Sequence, residues 1–258
     1  MGLLQELLAG AVSDANRRST RLPLASVEAA ALAAPKALDA RAFLHPDESV
    51  QIIAEVKRAS PSRGPLAEIA DPAALAASYQ TGGASAISVL TEQRRFLGSL
   101  DDLVRVRAAV TVPVLRKDFL ATAYQVLEAR AAGADLVLLI VAALDDSQLA
   151  DLFALTGELG MTALVETHDE RELDRALAVG ATLIGVNARD LDTFQLDRDL
   201  FGRLASRIPP SVTTVAESAV RSPADVAHYR AAGADVVLIG EALVTANPAA
   251  ALAEFLAA

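Results

Sequence analysis

Glu55, Lys57, Lys117, Glu166 and Glu217 each stand at or just beyond the downstream end of a short apolar run, at residues 52–54, 114–115, 163–165 and 215–216. Such runs read as buried strands, so each of these charges sits where a strand leaves the core. Burying an ammonium or a carboxylate is costly without an opposite charge nearby, and that pairing is also what shifts a pKa. Lysines and glutamates gathered in one place are therefore suited to proton transfer. Any one of them could equally be a solvated loop start or half of a structural ion pair, but five in equivalent positions favour a common site. Side chains alternate along a strand, so Glu55 and Lys57 share a face. Other polar strand ends join the candidates: Arg116 and Asp118 beside Lys117, Asn187 and Arg189 after residues 183–186, Ser218 after Glu217, and Gly240 with Glu241 after residues 236–239.

The elements that position these residues come from an internal repeat. Gly83-Ala84-Ser85, Gly133-Ala134-Asp135, Gly180-Ala181-Thr182 and Gly233-Ala234-Asp235 recur at intervals of 50, 47 and 53 residues, each after a stretch at helical spacing and before an apolar run. The glycine falls where a helix C-cap belongs. Each interval is about twice one strand-plus-helix unit, and each gap holds a further strand-like run, at 112–116, 162–166 and 213–217, with 51–56 ahead of the first glycine. The total is eight strands. Asp71-Pro72 and Ser222-Pro223 mark helix starts, and Thr122 with Gln125 fits a capping box.

This alternation predicts an α/β fold, a closed (βα)8 barrel of the TIM type. The alternative is an open doubly wound sheet, but no G-x-G-x-x-G follows the first strand. Residues 1–258 read as one barrel domain in which residues 1–50 form an N-terminal helical extension. There Leu3, Leu4, Leu7, Leu8, Ala11 and Val12 recur at helical spacing and predict an amphipathic helix packed on the barrel, a pro-segment being the alternative.

Composition removes other classes. The 258 residues carry 23 Lys+Arg against 33 Asp+Glu, a net charge of −10, with 4% aromatics and no tryptophan; nucleic-acid binding needs cationic surface and stacking platforms. The absence of cysteine excludes disulfides, thiolate metal sites and a cysteine nucleophile, and leaves a cytoplasmic location as the default expectation. The apolar run 136–144, closed by Asp135 and Asp145, is about half the ~20 residues a membrane-spanning helix needs. The N-terminus lacks the basic start of a signal peptide. His45, His168 and His228 form no ligand set, so no metal and no cofactor is expected.

In a barrel of this kind the active site lies at the C-terminal ends of the strands, and the loops after the last two commonly take a phosphate on backbone N–H groups. Ser218, Ala219, Gly240 and Glu241 occupy those loops, so a phosphorylated substrate is expected. The loop 58–66, with two arginines, two prolines and a glycine, is either a lid over an anionic substrate or a rigid surface connection.

Taken together, Glu55-Val56-Lys57-Arg58-Ala59-Ser60-Pro61-Ser62-Arg63-Gly64, Ser88-Val89-Leu90-Thr91-Glu92, Leu115-Arg116-Lys117-Asp118-Phe119, Leu164-Val165-Glu166, Gly185-Val186-Asn187-Ala188-Arg189 and Ala216-Glu217-Ser218 closely resemble the indole-3-glycerol phosphate synthase family across essentially the whole chain. The resemblance implies a carboxy-lyase of tryptophan biosynthesis that closes the indole ring of 1-(2-carboxyphenylamino)-1-deoxyribulose 5-phosphate, releasing carbon dioxide and water. It implies Lys117 as general acid at the ribulose carbonyl, and Lys57 at the substrate carboxylate, with Glu55 as its partner or as base. It further implies Glu166 as a second acid/base group, Asn187 as an orienting residue and Glu217 as the charge that holds the lysines. Ser218 and the Gly240 backbone would take the phosphate, Arg189 and Ser60 anionic groups, and Phe119 the aromatic ring. No obligatory protein partner is implied. Departures are Ala219 where the family usually has glycine, Glu241 where some members have serine, and Arg63 where lysine is common. A phosphoribosyl isomerase would not need two inward lysines, and a metal-dependent epimerase would need ligating strand-end histidines. A non-catalytic or engineered phosphate-binding scaffold is the alternative from another class.

Overall fold

The four repeat glycines, Gly83, Gly133, Gly180 and Gly233, have φ of +101°, +89°, +85° and +92°, a left-handed backbone that side chains resist. Each ends a helix and returns the chain to a strand. The computed structural model describes residues 2–45, 49–190, 192–244 and 247–258. Its barrel strands are β1 (Gln51–Val56), β2 (Ala86–Leu90), β3 (Val114–Lys117), β4 (Leu136–Ile140), β5 (Thr162–Thr167), β6 (Leu183–Asn187), β7 (Thr213–Glu217) and β8 (Val236–Ile239). All pair in parallel, and β8 returns to β1, so the sheet is a closed eight-stranded barrel. The helices are α1 (Leu3–Ser19), α2 (Leu24–Ala33) and α3 (Ala40–Phe43) before the barrel. Around it run α4 (Pro72–Thr81), α5 (Leu100–Ala109), α6 (Ala123–Ala131), α7 (Asp146–Glu158), α8 (Glu170–Ala178), α9 (Leu200–Ala205), α10 (Pro223–Ala231) and α11 (Pro248–Leu256). Among the described residues no helix is long and apolar enough to cross a membrane.

Alternation divides every strand between two cores. Ile53, Ala86, Leu115, Leu136, Leu138, Leu164, Leu183, Val215, Val236 and Leu238 fill the barrel interior, while Ile52, Val89, Val137, Val165, Val186 and Val237 join the shell packed with the helices. Ala40 and Leu44, in and just after α3, plug the interior from the N-terminal end of the strands. The expected amphipathic helix is α1: Leu4, Leu7 and Ala11 are buried in the cluster that contains Phe119. It is tied to loops of the opposite, C-terminal rim by the Leu4 N–H donating to Asp192 at 3.1 Å and by Arg94 on Asp14, and to helix α6 by Arg18 on Glu128.

Two local details differ from expectation. The third strand is expected at 112–116 but starts at Val114 and includes Lys117; the Pro113 carbonyl accepts the Ile87 N–H at 2.9 Å, but Pro113 has no N–H to give. At α6 the Gln125 N–H meets Thr122 Oγ1 at 3.4 Å, but the Gln125 side-chain oxygen accepts from the Ala121 N–H, one residue earlier than a capping box requires. Asp71 caps α4 as expected, accepting from Ala73 and Ala74.

The aspartates of the repeat have a structural task. Asp135, 2% exposed, accepts from the Leu38 N–H at 2.8 Å, from the Val114 N–H at 2.9 Å and from Arg107. It thus joins the N-terminal extension, β3 and α5 at one carboxylate. Asp235 does the same for β7 through the Thr214 N–H at 2.7 Å. Asp135→Ala strands a half-buried cation and two N–H groups, one of them fully buried, so it should lower unfolding stability by about 2–4 kcal/mol. Urea denaturation checks this, and a loss under about 1 kcal/mol would mean that water replaces the carboxylate at no cost.

Candidate active site

Strand ends and the loops beyond them surround one pocket at the C-terminal mouth. Its lining contains Glu55, Lys57, Ser60, Lys117, Phe119, Glu166, Asn187, Arg189, Glu217, Ser218, Ala219, Gly240 and Glu241, with Asp118, so the structure brings together every candidate residue except Arg116. Of the three polar residues that end β3 or follow it, Lys117 points inward, whereas Arg116 is fully buried on the outer side. There it donates to the Gln125 carbonyl at 2.7 Å and to Asp118 at 3.0 Å. Arg116 therefore anchors α6 and takes no place in the pocket.

The inward charges form two sets of contacts, one around Glu55 and one around Lys117. Lys57 Nζ lies 2.6 Å from Glu55, which also accepts from Ser88 Oγ at 3.4 Å. Lys117 Nζ is bonded to Glu217 and lies 3.4 Å from Glu166. Asn187 donates to Glu166 at 3.2 Å, and its oxygen accepts from Ser218 Oγ at 2.8 Å and from the Arg189 N–H at 3.1 Å. Pairing across β6 and β7 sets Asn187 beside Glu217. Two glycines make room: a Cβ on Gly185 would collide with Glu217 Oε1, and one on Gly240 would lie 2.5 Å from Glu55 and 3.0 Å from Lys57 Nζ.

These contacts oppose desolvation and mostly overcome it. Burial alone would depress Lys117, but Glu217, Glu166 and Glu55 hold its pKa well above the ordinary lysine value. Burial would raise Glu166 and Glu55; Lys117 with His168 and Asn187 holds the former far below the carboxylate range, and Lys57 with Lys117 holds the latter below it. Glu217 goes the other way, pushed up to about 8 by burial and by the neighbouring Glu166 against the pull of Lys117. Its Oε1, facing Gly185, has no hydrogen-bond partner among the described residues. The pocket thus holds an ammonium that is charged at neutral pH between one ionised carboxylate and one that titrates near neutrality, the equipment for moving protons.

The loops after β7 and β8 close one side of the pocket. Ser218 and Ala219 have φ of +71° and +60°, consecutive left-handed residues of the kind whose N–H groups form an anion-binding concavity. Alanine is strained there, as its place in a glycine position implied. Glu241 is paired with Arg63 at 3.0 Å and acts on Arg189, which burial and the neighbouring Arg221 and Arg63 hold below the usual arginine value. The loop 58–66 is a short hairpin, Ala59–Ser60 against Gly64–Pro65. Of its two arginines only Arg63 faces the mouth. Arg58, expected to add charge there, instead binds Asp102 at 2.5 Å and the Ile69 carbonyl at 3.2 Å, and so pins the hairpin to α5.

The sequence reading missed the apolar wall: Phe96, Phe194, Leu138 and Ile140 also line the pocket, and the Phe96 and Phe119 rings stand 6.1 Å apart. An isolated phenylalanine after two arginines in a loop was the available signal for Phe96. Arg221 and His168 were also passed over. Among the described residues no group of three or more His, Asp or Glu side chains is arranged to hold a metal ion.

A family model described as indole-3-glycerol phosphate synthase matches residues 4–255. A relative from Leifsonia xyli subsp. xyli bearing that name is 67% identical over 253 residues, 98% of this chain and 97% of its own length. Another from Mycobacteroides abscessus is 58% identical over 257 residues, 99% of this chain and 94% of its own. A solved N-acetylmannosamine-6-phosphate 2-epimerase from Clostridium perfringens aligns with TM-score 0.58 at 15% identity, over 74% of this chain and 86% of that one; this is a likeness of fold alone.

The fit of Glu217 against Gly185 generates a stability prediction. Gly185→Ala should cost about 1–3 kcal/mol by overpacking, and the cost should largely vanish in a Glu217→Ala background, because the colliding carboxylate is gone. A double-mutant cycle by urea denaturation reads the coupling. Additive effects would show that Glu217 is not what excludes a methyl group.

Proposed function

The chain belongs to the indole-3-glycerol phosphate synthase family, and from that premise we propose how its mouth residues divide the reaction. The enzyme is a carboxy-lyase of tryptophan biosynthesis that acts on 1-(2-carboxyphenylamino)-1-deoxyribulose 5-phosphate. Ring closure delivers a proton to the ribulose carbonyl oxygen as the carboxylated ring carbon attacks, and carbon dioxide then leaves. Dehydration delivers a second proton to the resulting hydroxyl and withdraws one from carbon. Two protons are given and one is taken, which balances the loss of carbon dioxide and water.

Lys117 is the general acid of ring closure. The observation that carries this reading is its ammonium, charged and held between Glu217 and Glu166 at the centre of the pocket. Glu166, kept ionised, is the acid/base group that withdraws the proton, oriented by Asn187. Lys57 pairs with the substrate carboxylate and serves dehydration, with Glu55 as its partner. Glu217 holds Lys117 in place. Ser218, the Ala219 N–H and the Gly240 backbone take the phosphate, with Glu241 positioning Arg63 at the rim. Arg189 and Ser60 meet anionic groups, and Phe119, with Phe96, packs on the aromatic ring.

The whole chain acts as one barrel domain with residues 1–50 as its helical extension. It works in the cytoplasm on a small phosphorylated and carboxylated substrate. It has no cofactor and no nucleic-acid, membrane or obligatory protein partner; the net charge of −10 favours the exclusion of nucleic acid.

Indole fluorescence during turnover tests the reading, because a chain without tryptophan contributes almost no background. Lys117→Ala should lower kcat by ~10²–10⁴ with the fold intact, and undiminished turnover would remove Lys117 from its role. Ser218→Ala should act mainly on KM, as expected of a group that grips phosphate equally in ground and transition states. A fall in kcat at constant KM would instead place Ser218 in the chemistry.

A further inference from the structure

One buried titratable group beside the site has no part in the mechanism above. His168 follows the last residue of β5, its side chain 14% exposed, and it is absent from the pocket lining. Its Nδ1 lies 3.0 Å from Glu172 Oε2, and the same oxygen accepts the His168 backbone N–H at 2.8 Å. Its Nε2 lies 3.4 Å from Glu166 Oε1, an ion-pair distance, and is buried without a hydrogen-bond partner among the described residues. Glu172 is the third residue of α8, where its own N–H donates to the cap Asp169 at 2.7 Å. A glutamate there ordinarily reaches back to the cap residue's N–H; this one reaches one residue further and grips His168 twice.

We propose that His168, held by Glu172, is a positioning residue that fixes the Glu166 carboxylate and keeps it ionised for proton abstraction. The Glu166 Oε1 atom faces two N–H groups, those of Asn187 and His168, while Oε2 faces Lys117. Three directions fix the plane of a carboxylate that a single lysine would leave free to rotate. The groups facing His168 are Glu166 on β5, Glu172 on α8 and, from the loop after β6, Asp190, whose own pKa is lowered in part by His168. All are carboxylates. They outweigh burial and push the imidazole up to about 10, so the ring is cationic at neutral pH and adds a second positive charge beside Glu166 without entering the pocket.

This inference rests on the assignment of Glu166 as the proton-abstracting group. His168→Leu should lower kcat by about ten- to a hundredfold, as expected when a reacting group is misplaced, with KM within about twofold. The acid limb of the kcat–pH profile should move to higher pH by about one unit, because Glu166 has lost an opposite charge. His168→Gln, which restores an N–H without a charge, should recover part of kcat while keeping the displaced limb. Glu172→Gln leaves the ring in place and should shift the limb in the same direction by less, so it carries the test if His168→Leu does not fold. Wild-type acid limbs in the folded variants, with kcat unchanged or lowered only with the folded fraction seen by circular dichroism, would overturn the proposal. Glu166→Gln separates the two ideas. Full activity in that variant removes the premise and the proposal together, whereas loss of turnover there beside unaltered His168 and Glu172 profiles overturns the proposal alone.

Discussion

The ammonium of Lys117, sealed between two buried carboxylates, is the interaction on which the rest of the site depends. A buried charge survives only when its partners are held in place, since removing one leaves the other uncompensated. Here the partners come from different strands: Glu166 from β5, Glu217 from β7, and Glu55 on β1 acting through space. The closed barrel is the means of holding them. Each strand is fixed by its neighbours on both sides, so a carboxylate at its end cannot retreat to water without breaking a ladder. The glycines at 185 and 240 belong to the same constraint, because the volume a Cβ would take is occupied by Glu217 and by the Glu55–Lys57 pair.

Much of this was legible in the sequence because it follows from short-range rules. The repeat glycines mark helix ends, the apolar runs mark strands, and alternation puts Glu55 and Lys57 on one face. What was not legible depends on distance in the chain. Arg58 and Arg63 sit in one loop with the same charge, yet one binds Asp102 on α5 and the other Glu241 beyond β8; no local pattern separates those destinations. Likewise Arg116 differs from Lys117 only in parity, and parity becomes a role once α6 and Glu128 are known to wait outside.

The aromatic wall was hidden for a different reason. Phe96 and Phe194 lie in loops, where period-based reading is silent, and Phe194 has φ of +59°, a conformation that bulky residues rarely adopt. The loops that carry them are set by contacts with the N-terminal extension: Arg94 and Arg95 bind Asp14 and Glu6 on α1, and Asp192 accepts the Leu4 N–H. Residues 1–50 therefore do more than cover the barrel. Helix α1 shapes the loops that complete the pocket, and α3 closes the opposite end.

The corner after β7 and β8 shows how backbone strain and charge can be linked across several positions. Ala219 keeps its N–H but holds a left-handed φ at a cost of about 1–2 kcal/mol, a strain glycine would not carry. Glu241 adds a negative charge beside the anion site, but Arg63 is drawn onto it at 3.0 Å and Arg189 feels it. In the free site the carboxylate therefore satisfies cations that would otherwise repel one another. On the proposed reading, a phosphate against the Ser218–Ala219 turn would draw the same arginines away from Glu241, leaving it at the half-exposed rim, where water solvates it cheaply. The added charge thus changes what the arginines exchange, a carboxylate instead of water, without removing any donor that the backbone supplies.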